Sequence, residues 1–437
     1  MFPVRRILYN LALTVAMIVM LPHYLVKMRR RGGYAHNFGN RFGRYDADTL
    51  RRFGDGGAIL VHAVSVGEVG VAWQFIQAWR KTDPSARFVI STTSSTGYRE
   101  ALKRVGDGDD AVIYNPLDLP CFVRRALDAI RPAAFILVET EIWPNLLAEC
   151  EKRAIPVCLV NGRLSDRTAP TYRRLRFLFG PAIGSIRQVQ VQSDLDAERY
   201  IAAGAEPSRT VVTGSFKFDV ARRDEAKERA AGSLLESIGF GSGHPMLLGA
   251  STWPGEETLL CKAYLELRRG REALRLVLVP RHMERAGEVC SDIRALGLTP
   301  VRKTDLDANG TRPLGADDVL VVDTTGEMMG LYPHAAVCVV GRTFRSRGGQ
   351  NMIEPCLCGV PTVVGPQTQN FRPVMADLLS QGAIIQVADD AGLVRELGML
   401  LGDEAARRDL GEKAARAVAS RKGAVDRCVA AVRDAIR

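Results

Sequence analysis

Short apolar runs recur along most of this chain and alternate with longer stretches of helical character. Several runs are apolar almost without interruption, which is typical of parallel strands buried on both faces. In the first half the predicted strands are Ala58–Val64, Arg87–Thr92, Ala111–Tyr114, Ala134–Val138, Val157–Val160, Gln188–Gln192 and Thr210–Thr213. In the second half they are Met246–Ala250, Leu274–Val279, Val319–Val322, Val337–Gly341, Thr362–Val364 and Ile384–Val387.

The alternation of strand and helix predicts an α/β fold built on parallel sheets. A polar, glycine-rich stretch divides the pattern into two similar halves, and 437 residues exceed what one core usually supports. We therefore predict two doubly wound, Rossmann-like domains that bind ligands at the carboxyl ends of their strands. The predicted domains cover residues 34–222 and 245–437, with a linker over residues 223–244.

The first 33 residues differ from the rest of the chain. Residues 7–26 are apolar with few interruptions, and a basic cluster, Lys27 and Arg29–Arg31, follows them. The first 52 residues hold ten lysines and arginines against two aspartates, so most of the formal net charge of +10 lies there. Basic residues beside an apolar segment favour an anionic membrane surface over nucleic acid. We predict an uncleaved N-terminal membrane anchor over residues 1–33, either spanning or lying in the interface, with the body of the protein cytoplasmic.

The nine cysteines are odd in number and scattered, and no Cys-x-x-Cys pair occurs. This usage is typical of buried free thiols in a reducing compartment. The Asp-x-Asp pairs, such as Asp194 and Asp196, lie in turn-like or helix-start contexts and are interpreted as solvated or capping residues. The sequence therefore predicts no metal site and no cofactor.

In the first half, charged residues stand just past several strands, where ligands bind in parallel sheets. Glu68, in Ser65-Val-Gly-Glu68, is either a helix cap or a general base. Glu139 and Glu141 place two carboxylates at another strand end, a pattern with no evident role in folding. Lys217 lies between two phenylalanines and is suited to an anionic substrate or to the charge that develops on a leaving group.

The second half offers three further segments at predicted strand ends. Pro280-Arg281 follows an apolar strand, and an arginine fork can bind a phosphate through two hydrogen bonds. Thr325-Gly326-Glu327 offers backbone groups to a base or ribose. The segment 347–355 is predicted to be a glycine turn that opens a helix, with Asn351 as cap and Glu354 placed for ribose hydroxyls. An ordinary loop with a capped helix is the alternative.

The ordered set of these motifs resembles one known family. Ser-Val-Gly-Glu, Glu-Thr-Glu-Ile-Trp-Pro-Asn, Asn-Gly-Arg-Leu-Ser, Phe-Lys-Phe-Asp, Pro-Arg-His, Thr-Gly-Glu and Gly-Gly-x-Asn-x-x-Glu-Pro look like the 3-deoxy-D-manno-octulosonic acid (Kdo) transferases of lipopolysaccharide synthesis. The resemblance covers almost the whole chain. It implies a GT-B fold, with two domains facing across a cleft, and transfer of Kdo from CMP-Kdo to a lipid A precursor (lipid IVA) at the cytoplasmic face of the inner membrane.

The resemblance also implies roles for individual residues. Glu68 resembles the family's general base, and Glu139 and Lys217 match positions that stabilise the transition state, although Glu141 is close enough to leave the choice of carboxylate open. Trp253, Gln350, Arg342 and Arg345 depart from the family pattern on the donor side. The positions that match CMP binding are Pro280, Arg281, Thr325, Gly326, Glu327, Asn351, Met352, Ile353 and Glu354.

The leaving group of a CMP-sugar is a monophosphate ester, whose charge an arginine and a helix N-terminus can neutralise. We therefore predict a metal-independent reaction that inverts the anomeric centre, because attack comes from the face opposite CMP. Two alternatives stay open at this point. One is another GT-B-like nucleotide-sugar transferase or epimerase, and the other is a membrane scaffold without catalysis.

Overall fold

The computed structural model describes residues 3–31, 37–106, 108–241 and 243–437. In these residues fourteen strands form two sheets, and each predicted strand is present with small shifts at its ends. The strands are β1 (Ile59–His62), β2 (Phe88–Thr92), β3 (Ala111–Tyr114), β4 (Ala134–Val138), β5 (Val157–Gly162), β6 (Gln188–Val191), β7 (Thr210–Val212), β8 (Met246–Thr252), β9 (Arg275–Pro280), β10 (Thr299–Arg302), β11 (Asp318–Val321), β12 (Val337–Val340), β13 (Thr362–Val364) and β14 (Ile385–Gln386).

Helices occupy the connections between the strands. They are α1 (Pro3–Arg31), α2 (Ala47–Phe53), α3 (Val66–Arg80), α4 (Ser95–Val105), α5 (Pro120–Ile130), α6 (Pro144–Lys152), α7 (Ala169–Arg174), α8 (Arg176–Gly184), α9 (Asp194–Ala203), α10 (Lys217–Val220), α11 (Glu225–Ser237), α12 (Glu256–Leu267), α13 (Ala286–Ala295), α14 (Lys303–Asn309), α15 (Met328–Leu331), α16 (Ile353–Leu357), α17 (Arg372–Ser380), α18 (Asp390–Gly402), α19 (Glu404–Arg421) and α20 (Ala424–Ile436). Strand β10 was not predicted, because it is a half-exposed edge strand that contains Pro300.

Both sheets are entirely parallel. The first has the order β3-β2-β1-β4-β5-β6-β7 and the second β10-β11-β9-β8-β12-β13-β14. In each sheet the chain runs outward to one edge and then returns to the centre, so that β1 lies beside β4 and β8 beside β12. The helices that follow these neighbouring strands diverge and leave a crevice, which is the usual ligand site of such sheets. The predicted parallel α/β architecture is confirmed.

The chain divides into two compact units, residues 1–216 with 423–437 and residues 217–422. These boundaries differ from the predicted ones in two ways. The predicted linker contains α11, whose apolar side chains Ala231 and Leu235 belong to the core of the second unit. The last helix, α20, belongs to the first unit because its buried stripe, including Val425 and Val432, packs in the same core cluster as α3.

Helix α1 occupies the described part of the predicted anchor. None of the described helices is long and apolar enough to cross a membrane. Residues 1–2 and 32–33 of the predicted anchor lie outside the described residues, and so do the side chains of Lys27 and Arg29–Arg31.

The assignment of α20 to the first unit leads to a stability prediction. Val432 is fully buried in the core of that unit. Val432→Ala should lower the free energy of unfolding by about 2 kcal/mol, since two buried carbons contribute ~0.8 kcal/mol each and a cavity adds to the loss. Chemical denaturation measures the change. Val211→Ala removes the same atoms from a side chain that is 41% exposed, and it should change stability little. Equal effects of the two variants would contradict the burial of α20.

Candidate active site

In the first unit, the crevice between β1 and β4 receives the carboxylates that the sequence singled out. Glu68 lies in the first turn of α3, which follows β1, and Glu139 and Glu141 lie in the segment directly after β4. Strands β1 and β4 are neighbours in the sheet, so these residues share one edge although about seventy positions separate them in the chain. The tertiary fold therefore brings together two of the predicted motifs.

Glu68 is both a helix cap and a partly exposed acid. Its carboxylate accepts hydrogen bonds from the Val64 N–H (2.9 Å) and the Ser65 hydroxyl (2.9 Å), while the Ser65 hydroxyl caps the helix. Burial raises the pKa of Glu68, and these hydrogen bonds limit the rise. The two readings of this residue are compatible, because the hydrogen bonds fix the orientation of a carboxylate that remains accessible.

Glu141 is the carboxyl that interacts electrostatically with Glu68. Burial and the negative charge of Glu68 together raise the pKa of Glu141 to about 7. Its own charge contributes, after burial, to raising the pKa of Tyr172 to about 12. Burial therefore favours the protonated form of both glutamates, and the charge of Glu68 adds to this effect at Glu141, an arrangement typical of acid–base sites.

Glu139, the carboxylate that motif matching favoured, is held by different neighbours. Its Oε1 accepts a hydrogen bond from the Asn161 side chain (3.3 Å), and its carbonyl accepts one from the Tyr200 hydroxyl (2.6 Å). Asn161 in turn accepts from the backbone N–H of Phe216 (3.2 Å), the last residue of this part of the first unit. Glu139 thus connects β4 and β5 to the segment that leads to Lys217.

Four non-glycine residues at strand ends have left-handed backbone conformations. They are Glu139 (φ 64°), Asn161 (φ 51°), Ser251 (φ 53°) and Arg342 (φ 58°). Each follows or ends a strand that borders one of the two crevices or lies next to it, β4, β5, β8 and β12. Such conformations cost energy and occur most often where a site requires a particular side-chain direction. This backbone strain independently supports a functional site at the carboxyl ends of these strands in each sheet.

A buried polar chain that the sequence did not predict lies beneath the carboxylates. The Trp143 indole N–H donates to His62 Nε2 (3.1 Å), and His62 Nδ1 lies 3.0 Å from the Ser91 hydroxyl. Ser91 donates onward to Asn115 (2.9 Å). Because Nε2 accepts, the proton of the neutral ring is on Nδ1. Burial lowers the pKa of His62 to about 4, so it is a neutral positioning group for Trp143.

Lys217 contacts the second unit, in which it is the first residue. Its ammonium group donates to the Asn370 carbonyl (3.2 Å) and lies 4.4 Å from the centroid of the Phe371 ring. The same loop supports the glycine turn, because the Asn370 N–H donates to the Gly348 carbonyl (2.8 Å). The expectation that Lys217 belongs to the rim of the first half is therefore corrected.

The crevice of the second unit lies between β8 and β12 and is organised by Glu256. This carboxylate is 1% exposed and accepts four backbone N–H groups, from Trp253 (2.9 Å), Arg342 (2.7 Å), Thr343 (2.9 Å) and Phe344 (3.0 Å). The sequence around it resembles that around Glu68, but the environments differ. Glu256 is saturated with hydrogen bonds and ties two loops together, so it has a structural role.

Two of the residues that depart from the family pattern meet in this crevice. The Arg342 guanidinium lies 4.4 Å from the Trp253 ring centroid, and His282 packs edge-on against the indole at 5.5 Å. These residues follow β12, β8 and β9 respectively. Among the described residues, the Trp253 indole N–H and Arg342 Nε are buried without a hydrogen-bond partner. Such groups are costly in a resting protein, so this stack is a candidate ligand contact.

The predicted glycine turn is present and depends on its glycines. Gly348 (φ 131°) and Gly349 (φ 82°) adopt conformations that other residues rarely reach, and a side-chain carbon at Gly348 would lie 2.6 Å from the Asn370 amide nitrogen. The helix that follows, α16, has only five residues. The N-cap position is Met352, which makes no side-chain capping hydrogen bond, so the prediction of Asn351 as the cap is corrected. Asn351 lies one residue earlier and accepts a hydrogen bond from the Ile353 N–H (3.1 Å), and burial raises the pKa of Glu354.

The remaining donor-side candidates differ in which of their groups a ligand could contact. Arg281 is exposed directly after β9, and Thr325 to Glu327 form a turn in which Glu327 lies 3.4 Å from the Lys303 ammonium group. Pro280, at the end of β9, is buried. Met352 and Ile353 have fully buried side chains, so only their backbone can contact a ligand.

The parallel sheets and their two crevices define an α/β protein of the two-domain, glycosyltransferase-like class. The chain is similar in fold to a UDP-N-acetylglucosamine 2-epimerase homologue from Listeria monocytogenes, with a TM-score of 0.56 and 14% sequence identity over 87% of this chain and 96% of that one. At this identity the likeness concerns the fold alone.

Sequence comparison identifies the family. Residues 36–220 match the model of the 3-deoxy-D-manno-octulosonic-acid transferase (kdotransferase) family. The chain is 34% identical to a 3-deoxy-D-manno-octulosonic acid transferase of Bordetella pertussis over 90% of this chain and 92% of that protein. It is 28% identical to the enzyme of the same name from Haemophilus influenzae over 84% and 85% of the two chains. The chain belongs to the Kdo transferase family and is a Kdo glycosyltransferase, which confirms the predicted family.

The glutamate pair leads to a prediction about pH and stability. Folding raises the pKa of Glu141 from 4.5 to about 7, so the folded state loses stability as pH rises through that interval. Glu141→Gln should therefore raise the unfolding free energy above pH 7 by about 1 to 2 kcal/mol, less than the full pKa difference implies because water screens a partly exposed group.

Denaturation curves of the wild type and of Glu141→Gln at pH 5 and pH 8 test this, and the difference should appear at the higher pH alone. Glu100→Gln, which alters a glutamate that forms an ion pair with Arg104 at the surface, serves as the control. A gain in stability of Glu141→Gln that is the same at both pH values would show that the side chain does not carry a raised pKa.

Proposed function

We propose that this enzyme transfers Kdo from CMP-Kdo to a lipid A precursor such as lipid IVA, with Glu68 as general base and inversion at the anomeric carbon. The observation that carries the proposal is the pair of carboxyls with raised pKa, Glu68 and Glu141, which the fold brings to one edge of the sheet in the first unit. A base with an elevated pKa is closer to the operating pH and accepts a proton more effectively. The family of the chain supplies the donor and acceptor classes.

In this mechanism the acceptor hydroxyl gives its proton to Glu68 as its oxygen attacks the anomeric carbon of Kdo. The bond between that carbon and the phosphate oxygen of CMP breaks, and CMP leaves with the electron pair. Attack opposite the leaving group inverts the configuration. The hydrogen bonds from Val64 and Ser65 hold the Glu68 carboxylate in one orientation, which reduces the entropy cost of reaching the reactive geometry.

Two other residues are proposed to stabilise developing charge. Glu141 carries a proton up to about pH 7 and is suited to donate a hydrogen bond near the oxocarbenium-like centre or the acceptor. Lys217 supports the glycine turn through Asn370 and is suited to the leaving phosphate. Glu139, which is bound to Asn161, then orients the segment before Lys217, although motif matching gives it the direct role.

The second unit is proposed to bind CMP-Kdo in the crevice between β8 and β12. Arg281 and Arg342 follow strands at or beside this crevice, and they would supply positive charge to the phosphate and the Kdo carboxylate. Glu354, Asn351 and the turn at Thr325–Glu327 are assigned to the nucleoside.

The reaction is proposed to need no metal ion, because the CMP leaving group carries less charge than a nucleoside diphosphate and arginines can neutralise it. We also propose that the protein works at the cytoplasmic face of the inner membrane, with α1 as its attachment. The exposed apolar residues of α1 and the basic N-terminal segment support this location.

Glu68→Gln tests the base directly. The amide keeps the size of the side chain but cannot accept the proton, so kcat for transfer from CMP-Kdo to a tetra-acylated lipid A precursor should fall about 10² to 10⁴-fold. Product formation by mass analysis, with and without EDTA, is the measurement. Glu225→Gln, at an exposed glutamate of α11, should retain activity. Near-wild-type transfer by a folded Glu68→Gln would refute the assignment, and loss of wild-type activity in EDTA would refute metal independence.

Nucleotide binding tests the donor side separately. CMP should raise the Tm of the protein more than UMP or UDP does, because a ligand that binds only the folded state stabilises it. Trp253→Ala removes the surface on which Arg342 rests and should weaken CMP binding about tenfold, while Trp253→Phe should keep most of it. If both variants bind CMP like the wild type, the stack is not part of the donor site.

A further inference from the structure

Asn145, the last residue of the Glu-Thr-Glu-Ile-Trp-Pro-Asn motif, is fully buried against helix α1. Its side-chain amide donates to the Asp118 carbonyl (2.5 Å) and to the Asn10 side-chain oxygen (2.6 Å). Its Oδ1 accepts a hydrogen bond from Arg6 Nε (3.1 Å). Both amide protons and the carbonyl oxygen of this side chain are therefore used. Two of the three partners belong to α1, so the motif and this helix share one buried polar cluster.

The carboxyl of Asp118 connects α1 to the start of α6. It is buried, and it accepts hydrogen bonds from the Tyr9 hydroxyl (2.8 Å) and from the backbone N–H groups of Asn145 (3.0 Å) and Leu146 (2.8 Å). These two N–H groups lie in the first turn of α6, where Trp143 provides no side-chain cap. Burial raises the pKa of Asp118 to about 7 in spite of these donors. Asp118 thus caps α6 from elsewhere in the chain, and Tyr9 holds Asp118.

Arg6 has a second partner, Glu149, outside the motif. The guanidinium donates to this carboxylate (2.7 Å), which also accepts from Lys152 (2.9 Å) and Arg153 (2.7 Å). Burial alone would raise the pKa of Glu149, but the three cations lower it to about 2. Glu149 therefore keeps two cationic partners without Arg6. Asn145, in contrast, accepts its charged hydrogen bond from Arg6.

The start of α6 determines where the preceding residues lie. Trp143 stands directly before α6 and donates to His62, and Glu141 stands two residues earlier. Among the described residues, none forms a hydrogen bond with the Glu141 carboxyl, whose pKa is raised by burial and by the charge of Glu68. Its position therefore depends on the backbone on either side of it. On the α6 side, that backbone is fixed by Asp118 and Asn145.

We propose that α1 is a positioning element of the active site, in which Arg6 and Tyr9 hold the start of α6 through Asn145 and Asp118. The contacts of α1 thereby fix Glu141 and Trp143 relative to Glu68. Arg6 and Tyr9 touch no reacting atom and act through the motif, as supporting residues of a preorganised site do. This positioning role rests on the proposed function, in which Glu68 and Glu141 act in transfer. It uses the buried side of α1 and is separate from any contact of this helix with lipid.

A positioning role differs from a merely stabilising one in its kinetics. Contacts that only stabilise the fold change the fraction of folded protein but leave the turnover of the folded molecules intact. Contacts that position Glu141 change kcat, because a small misplacement of a group near the reacting atoms is costly. Since CMP-Kdo is proposed to bind the second unit, its KM should be nearly unaffected by changes in α1.

Steady-state kinetics of the full-length protein test this role. Transfer is measured from CMP-Kdo to a tetra-acylated lipid A precursor in detergent micelles, where attachment to a membrane does not limit the rate. Arg6→Gln and Tyr9→Phe should each lower kcat about 10 to 100-fold, with a nearly unchanged KM for CMP-Kdo. Protection by CMP against heating should be retained, which shows that both variants fold.

The matched control is Lys152→Gln. It also removes one positive charge from Glu149, but Lys152 is exposed and makes no contact with the motif among the described residues. It should transfer Kdo with the kcat of the wild type. An equal loss of kcat in Arg6→Gln and Lys152→Gln would overturn the proposal, because the charge around Glu149 would then explain the effect.

The two partners of Arg6 allow a sharper test through double-mutant cycles. In the background of Asn145→Ala, Arg6→Gln should cause little further loss of kcat, because the contact with the motif is already absent. In the background of Glu149→Gln, Arg6→Gln should keep its full effect. Additive losses in both backgrounds would overturn the action of Arg6 through Asn145. If Asn145→Ala does not fold, a wild-type kcat of Tyr9→Phe, which removes a single hydroxyl, would also overturn the proposal.

The fluorescence of Trp143 reports the position of the motif without any transfer reaction. Its emission is the difference between each protein and the same protein with Trp143→Phe. Indole emission moves to longer wavelength in more polar surroundings, so it should shift in Arg6→Gln and stay unchanged in Lys152→Gln. No shift in Arg6→Gln would overturn the proposal.

The two readouts separate this role from the proposed function. A wild type that transfers no Kdo would contradict the proposed function, and the emission shift would still decide whether α1 positions the motif. Wild-type kcat in both Arg6→Gln and Tyr9→Phe would overturn the positioning role alone.

Discussion

The structure depends on one constraint, which is that parallel strands covered on both faces have no room for polar side chains except at their ends. Strand β4 shows the rule, since Ala134 to Val138 are all buried. Directly past it stand Glu139 and Glu141, and past its neighbour β1 stands Glu68. The buried strand and the residues of the candidate site thus follow one another in the same segment of the chain.

A charged group at such a strand end must be stabilised by hydrogen bonds or by solvent. The two units stabilise their glutamates in different ways. Glu256 is buried, yet four backbone N–H groups satisfy it, and it thereby joins the loops after β8 and β12. Glu68 has two donors and remains partly exposed, so a ligand can reach it, while its partial burial raises its pKa. Similar local sequences become a structural carboxylate in one unit and a candidate base in the other because their hydrogen-bond donors differ.

The motif from Glu139 to Asn145 links the candidate active site to helix α1. Within seven residues it supplies the partner of Glu68, the indole that His62 positions, and the amide that receives Arg6 of α1. A change at one of these positions is expected to disturb the others through the backbone they share. Such coupling gives the transferase a physical reason to keep the whole segment.

The sequence alone determined the strands other than β10, the parallel α/β class and the strand-end residues, because apolar runs and the polar residues that follow them are local properties. It also identified the family from the order of its motifs. Only the tertiary structure decided that Glu141 interacts electrostatically with Glu68, that Lys217 contacts Asn370, and that α20 packs in the first unit. It also decided that Arg6 and Tyr9 in the first turns of α1 bind buried polar residues of the first unit. Each of these contacts depends on which strands become neighbours and which side chains are buried together. A local sequence pattern does not determine such long-range contacts.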